Sequence, residues 1–221
     1  MPLLLSVSEV LRLTLGETEQ YLHENGLLWN RLIVCQTYMI LGGVPYYLSL
    51  LDNKMGLPAN VDRLFFSEDA ELAHEYERLF SSLFCNPQPY KDIIRLLIDN
   101  KSGLTRKEIS SKLGKESEGN LSKLLTNLEN SDFLRKYNVR ERKINSNNGI
   151  YQLTDFYVRF YNDFRCTHST DRHYWSNALN TPKQNNWYGL NTNVHSSEVA
   201  VSLDMNALFD SCLRHFLEIG L

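Results

Sequence analysis

A stretch from Gly103 to Asp155 limits the possible folds of this chain more than any other part of its sequence. Its first residues, 104–109 (LTRKEI), have the signature of a helix start, and Gly114 ends the short helix that follows. A polar break at 118–120 then precedes an amphipathic run and a basic, strand-like ribbon that continues to residue 153. The stretch therefore predicts two short helices followed by a β-hairpin.

The second of these helices, Leu121 to Asn130, is predicted from its periodicity. Its leucines recur at the i, i+3, i+4 and i+7 positions of one apolar stripe: Leu121, Leu124, Leu125 and Leu128. The opposite face carries short or basic side chains that can approach phosphates and base edges: Ser122, Lys123, Thr126 and Asn127. We therefore expect this face to contact DNA.

The segments around this helix complete the pattern. Thr105 and Glu108 have the spacing of a capping box, in which each residue satisfies a backbone N–H near the start of a helix. Strands are predicted at 133–139 and 150–153, and the loop at 145–149 is rich in residues that tolerate positive φ. Basic residues of this predicted wing join the expected DNA-binding set: Arg140, Arg142 and Lys143. The order as a whole is that of a winged helix-turn-helix.

The distribution of charge agrees with a phosphate-binding face. Residues 89–150 hold 13 Lys and Arg against 8 Asp and Glu, although the whole chain has a net charge of −3. The segments on both sides are acidic, so the positive charge is confined to the predicted winged helix. A basic face of this size also suits a module that docks on another protein or packs within its own chain. Both alternatives remain open at the level of sequence.

The chain as a whole is predicted to be mainly α, in three parts. Residues 1–88 form a helical subdomain, 89–155 the winged helix-turn-helix with its small β wing, and 156–221 a helical or irregular segment. In the first part we expect helices from Thr18, after a break at Gly16, and from Asn30 to Leu41. A longer amphipathic stretch is expected from Asn60 to Phe84, and a helix from Tyr90 to Asn100 opens the second part.

Composition excludes several classes of protein. No apolar run among the 221 residues reaches the length of a membrane span, and the first residues lack a basic region and a cleavage site. A cytoplasmic protein without a membrane partner is expected. The cysteines are scattered singly, which argues against a zinc site and a disulfide framework: Cys35, Cys85, Cys166 and Cys212. No metal-ligating residues are predicted.

A series of short motifs follows a fixed order along the chain. They are 38–48 (YMILGGVPYYL), 60–66 (NVDRLFF), 75–80 (EYERLF), 104–109 (LTRKEI), 151–157 (YQLTDFY), 174–177 (YWSN) and 187–190 (WYGL). This series covers roughly residues 9 to 190. It resembles the C-terminal portion of the archaeal-type ATPases, which are P-loop proteins of the AAA+/STAND kind.

The resemblance implies a role for each part. Residues 1–88 would be the lid of the ATPase, 89–155 its winged helix, and 156–221 a partial or degenerate start of a nuclease-like domain. Gly43 and Pro45 match a GxP motif whose proline-bearing helix start approaches the adenine of the nucleotide. A glycine permits close backbone approach and a proline suits the first helical turn, yet a plain connection between two helices would use the same residues.

The residues that would hydrolyse ATP are not found in this sequence. No GxxxxGK(S/T) motif occurs, so nothing would cradle the phosphates or help to hold Mg²⁺. We therefore expect no catalytic residues and no cofactor in this chain alone, whereas ATP and Mg²⁺ are implied for the full-length family. The chain is expected to be a truncated protein or the C-terminal part of a larger ATPase. After residue 190 it departs from the family pattern, and nuclease activity is not expected.

Three functional hypotheses follow. The chain is a regulatory, DNA-binding fragment of an AAA+/STAND-like ATP-binding protein, and its partner is double-stranded DNA. Alternatively, it is an interaction module whose winged helix docks on an ATPase core domain or another protein. In the third hypothesis it is an ATPase that receives its P-loop in trans.

Overall fold

The computed structural model describes residues 12–114, 118–137, 149–165, 171–178 and 181–188. Within these ranges the chain is mainly helical and contains one small three-stranded sheet, which confirms the predicted mainly α class. None of the helices in the described ranges combines the length and the apolar character that crossing a bilayer requires.

Most of the elements along the chain are short helices. The helices are α1 Leu15–Glu24, α2 Arg31–Leu41, α3 Pro45–Ser49, α4 Leu57–Val61, α5 Glu71–Leu83, α6 Gln88–Asp99, α7 Arg106–Leu113, α8 Glu118–Asn130, α9 Phe156–Phe160, α10 Tyr174–Asn177 and α11 Pro182–Trp187. The strands are β1 Leu104–Thr105, β2 Leu134–Tyr137 and β3 Ile150–Leu153. Helices α4 and α9 continue directly into wider π-helical turns, at Asp62–Phe66 and Tyr161–Arg165.

The chain divides into two compact units, Met1–Ala73 together with His168–Leu221, and His74–Thr167. The second unit contains the predicted 89–155 segment and extends beyond it on both sides. Two aromatic stacks involve the residues of this unit that lie outside 89–155. Tyr76 of α5 stacks on Tyr161 with ring centroids 4.3 Å apart, and Phe80 of α5 stacks on Phe133 at 5.1 Å.

The start of α1 differs from the sequence-based expectation. The helix begins at Leu15, with Thr14 as its N-cap, and not at Thr18 after a break at Gly16. The Glu17 carboxylate accepts a hydrogen bond from the Thr14 backbone N–H at 2.8 Å, and the Thr14 hydroxyl accepts one from the Glu17 N–H at 3.3 Å. This capping box stabilises the first turn, so a glycine within that turn does not break the helix.

The amphipathic stretch expected from Asn60 to Phe84 consists of two helical segments in the structure. The first helical segment ends at Phe66, and α5 begins only at Glu71. The intervening turn directs the apolar side chains on both sides of it into the core, where Phe65, Phe66 and Leu72 are buried. Buried apolar residues therefore lie in both segments, on either side of the turn.

A buried carboxylate connects distant parts of the first unit. Asp62, which is only 4% exposed, accepts hydrogen bonds from the backbone N–H groups of Trp175 at 2.8 Å and Ser176 at 3.1 Å. Trp175 is itself buried and meets the ring of Tyr188 edge-on. The Asp62 carboxylate therefore fixes α10 against the end of α4.

The sheet of the second unit has the order β1-β3-β2, with both pairs antiparallel. Leu104 and Thr105 were expected to belong to a helix start, but they form β1 and pair with Tyr151 and Ile150 of β3. Only Thr105 also acts as the N-cap of α7. A two-residue strand has no periodicity of its own, so its identity depends on a partner strand much later in the chain.

Candidate nucleic-acid interface

Helix α8 is anchored through its leucines and through the way it ends. Leu121, Leu124, Leu125 and Leu128 are all buried. At the C-terminus the N–H of Phe133 donates to the carbonyl of Leu128 at 3.0 Å, and that of Asp132 to Glu129 at 3.0 Å. This is the Schellman arrangement, and Asp132 takes the left-handed backbone conformation that it requires, with φ 56°. The buried leucines and these hydrogen bonds therefore fix which face of α8 is exposed to solvent.

The helix begins earlier than the sequence suggests. Residues 118–120, expected to be a polar break, form the first turn of α8, because the helix runs from Glu118 to Asn130. Glycine at 119 weakens a helix interior but is tolerated in a first turn. Asn120, which is exposed, thereby joins the helix.

The exposed face of α8 carries three of the four predicted DNA-contacting residues of this helix: Ser122, Lys123 and Thr126. At about 100° per residue, Lys123, Thr126 and Asn130 lie within about 60° of one another on the side opposite the leucines. We call these three residues the central row. Asn130 is exposed and was missed, although its spacing of four residues from Thr126 is visible in the sequence.

Asn127, the fourth predicted residue of this helix, lies at the edge of the face and is half-buried. Its side-chain Nδ2 donates a hydrogen bond to the hydroxyl of Tyr90 on α6, at 2.8 Å. Tyr90 is buried and stacks on Phe84 with ring centroids 3.7 Å apart. The amide nitrogen of Asn127 therefore faces the interior of the unit.

Further exposed lysines lie on or beside other elements of the second unit. Lys101, which precedes β1, and Lys107 and Lys112 of α7 are exposed. They were not singled out in the sequence, although the local excess of Lys and Arg included them. Glu108 lies among them, and the pKa of its carboxyl is lowered because the backbone N–H and the hydroxyl of Thr105 donate hydrogen bonds to it. The capping box predicted from Thr105 and Glu108 is confirmed.

The hairpin carries the remaining predicted residues. Arg140, Arg142 and Lys143 belong to the segment between β2 and β3 and lie outside the described residues. Among the described residues of the hairpin, the Lys136 ammonium lies over the ring of Tyr151, 5.6 Å from its centroid. The Lys136 stem packs so closely on Gly149 that a Cβ at that position would lie 2.2 Å from its Cε. Lys136 is thus packed along the sheet.

The residues of the predicted GxP motif lie in the first unit. Gly43 is buried between α2 and α3, and Pro45 is the first residue of α3. The group that closely approaches Gly43 is the backbone of Leu13: a Cβ at Gly43 would lie 1.8 Å from the Leu13 carbonyl oxygen. The Leu13 N–H donates to the Gly43 carbonyl at 2.7 Å, and the Tyr38 hydroxyl donates to the Leu13 carbonyl at 3.0 Å. The chain itself therefore requires a glycine at position 43.

Within the described ranges, no group of three or more His, Cys, Asp or Glu side chains has an arrangement that could hold a metal ion.

Comparison of the whole chain with protein-family models, with curated proteins and with solved structures finds no match.

Proposed function

We propose that the second unit is a winged helix-turn-helix that binds double-stranded DNA through α8. The order α6, β1, α7, α8, β2, β3 and the sheet order β1-β3-β2 support this fold. In the same proposal, the chain is the regulatory and DNA-binding part of an AAA+/STAND-like ATP-binding protein. It contains no P-loop sequence and is not catalytic by itself.

The observation that carries the proposal is the division of α8 into two faces. Its leucines are buried, whereas the central row presents one ammonium, one hydroxyl and one amide to solvent, with no carboxylate among them. Lys123 has no ion pair within the described residues. An exposed cation on a helix whose other face is firmly anchored suits contact with phosphates and base edges.

The salt dependence of duplex binding tests the proposal. The affinity of the full chain for a short fluorescent duplex should fall as salt increases, because each phosphate contact releases counterions. Replacing Lys107 and Lys123 together by alanine should reduce the slope of log affinity against log salt, by about 1 for each of the two lysines that contacts a phosphate. A matched control replaces Lys54 and Lys183, which are exposed lysines of the first unit, and should leave the slope unchanged.

Two results would reject DNA binding. One is the absence of binding at low salt, and the other is an equal effect of the control pair and the test pair. If the chain instead captures the P-loop core of an AAA+/STAND-like ATPase and the Lys107/Lys123 variant loses that capture, the winged helix is a protein-docking module. In both the DNA-binding and the protein-docking hypothesis, ATP would bind to the P-loop core domain that the resemblance implies for the full-length family.

A further inference from the structure

The central row and its neighbours differ in how well they can distinguish one base from another. The hydroxyls of Ser122 and Thr126 can donate or accept a hydrogen bond, so they fit several base edges. An ammonium carries three donors and no acceptor, and its best partner in the major groove is the pair of acceptors O6 and N7 of guanine. Selectivity therefore depends mainly on the amides and on Lys123.

Asn127 is poorly placed to read adenine. A bidentate contact with adenine needs the amide oxygen and the amide nitrogen to face the base together. The Nδ2 of Asn127 is directed instead at the hydroxyl of Tyr90, 2.8 Å away, in a part-buried position. The same hydrogen bond links α8 to α6.

The one amide of the central row, Asn130, is the last residue of α8, and the exposed amide of Asn120 in the first turn lies outside the central row. In helix-turn-helix proteins the N-terminal part of the recognition helix reaches the base edges. Lys123 is the member of the central row that lies in the N-terminal half of α8. It is exposed, and no ion pair within the described residues restrains its ammonium.

We propose that Lys123 reads a guanine in the major groove, and that Asn127, held by Tyr90, is a positioning residue that makes no base contact. This inference rests on the proposed duplex binding. The module then prefers duplexes with a G·C pair at one defined position and tolerates substitution at the positions facing Ser122 and Thr126.

Selection of duplexes by the full chain from a pool with a randomised central segment tests this preference. Guanine should be enriched at one position in the bound fraction. Lys123→Ala should abolish this enrichment and lower the affinity for the selected duplex about tenfold, whereas Lys123→Arg should keep the enrichment, because arginine contacts the same two acceptors. Lys107→Ala serves as the matched control and should weaken selected and scrambled duplexes equally.

Circular dichroism of each variant establishes that it is folded before its selection is compared with that of the parent chain. Binding without a preferred position, guanine enrichment that survives Lys123→Ala, or an adenine preference lost in Asn120→Ala or Asn127→Ala would overturn the inference and leave duplex binding intact. The absence of any binding to the pool at low salt would reject the proposed function itself. The two failures are therefore distinguishable.

Discussion

Two glycines of the first unit show how differently the same residue type contributes to stability. Gly43 lies against the backbone of Leu13, with no room for a side chain, whereas Gly16 is exposed in α1 and a Cβ there would meet nothing within 4 Å. At Gly43 an added methyl group forces the backbone apart, and at Gly16 it only restricts the unfolded chain.

We therefore expect opposite effects from two alanine substitutions. Gly43→Ala should lower the free energy of unfolding by about 2 kcal/mol or more, as overpacking against backbone does. Gly16→Ala should raise it by about 0.5 kcal/mol, because alanine is the better helix former. Urea denaturation of both variants measures the difference. Equal midpoints for the two variants would show that Leu13 does not contact Gly43.

The pair formed by Tyr90 and Asn127 yields a second prediction at this scale. Removing the hydroxyl in Tyr90→Phe deprives the Asn127 amide of its partner, and we expect a loss of about 1 kcal/mol in unfolding free energy. In a double-mutant cycle, Asn127→Ala should cost less in the Tyr90→Phe background than in the parent chain. Additive losses would mean that the two side chains do not interact.

Sequence reasoning at the scale of residues succeeded where the determining neighbours are close in the chain. Thr105 and Glu108 are three positions apart, and their capping box follows directly from that spacing. The contacts of Gly43 with Leu13 and of Asn127 with Tyr90 join positions far apart in sequence, and no local pattern reveals them. That Gly43 contacts a nucleotide remains a prediction.

At the scale of elements, two helices begin with the same device. The carboxylate of Glu17 accepts hydrogen bonds from Thr14 at the start of α1, and Glu108 accepts them from Thr105 at the start of α7. In both cases these hydrogen bonds, of which the backbone bond is the largest cause, lower the pKa of the carboxyl below its ordinary value of 4.5. Both interactions require an ionised carboxylate.

The direction of this shift determines how stability depends on pH. Because the folded pKa of Glu108 is lowered, its interaction stabilises the protein at neutral pH, and this contribution is lost as the pH falls through the folded pKa. Thr105→Ala removes the hydroxyl donor but keeps the backbone N–H, so the pKa of Glu108 should rise only part of the way toward 4.5 while that of Glu17 stays low. Carboxyl chemical shifts in an NMR titration report both groups at once. An unchanged pKa of Glu108 in this variant would mean that the Thr105 hydroxyl does not donate to its carboxylate.

The elements that were misjudged are those whose structure departs from their local sequence signals. Strand β1 is two residues long and exists because β3 pairs with it. The first turn of α8 and the start of α1 both contain a glycine, which signals a break more often than a helical turn. For β1 a partner strand, and for α1 the cap supplied by Thr14, outweighs the local preference.

At the scale of the whole molecule, the mainly helical class with a small sheet was predictable because amphipathic periods repeat along most of the chain. Which segments group together was harder to predict, because the aromatic contacts between them join positions far apart in the sequence. Tyr76 and Phe80 of α5 stack on Tyr161 and Phe133 within the second unit. The sequence shows these rings at helical spacing and does not show which partners they meet.

The most direct measurement is an NMR titration of the full chain with a short duplex at low salt. If α8 is the DNA-contacting helix, the largest amide shift changes fall on the exposed face formed by Ser122, Lys123, Thr126 and Asn130, and the amides of α1 to α3 stay unchanged. The largest changes in α1 to α3, or no change anywhere at saturating duplex, would contradict DNA binding through α8.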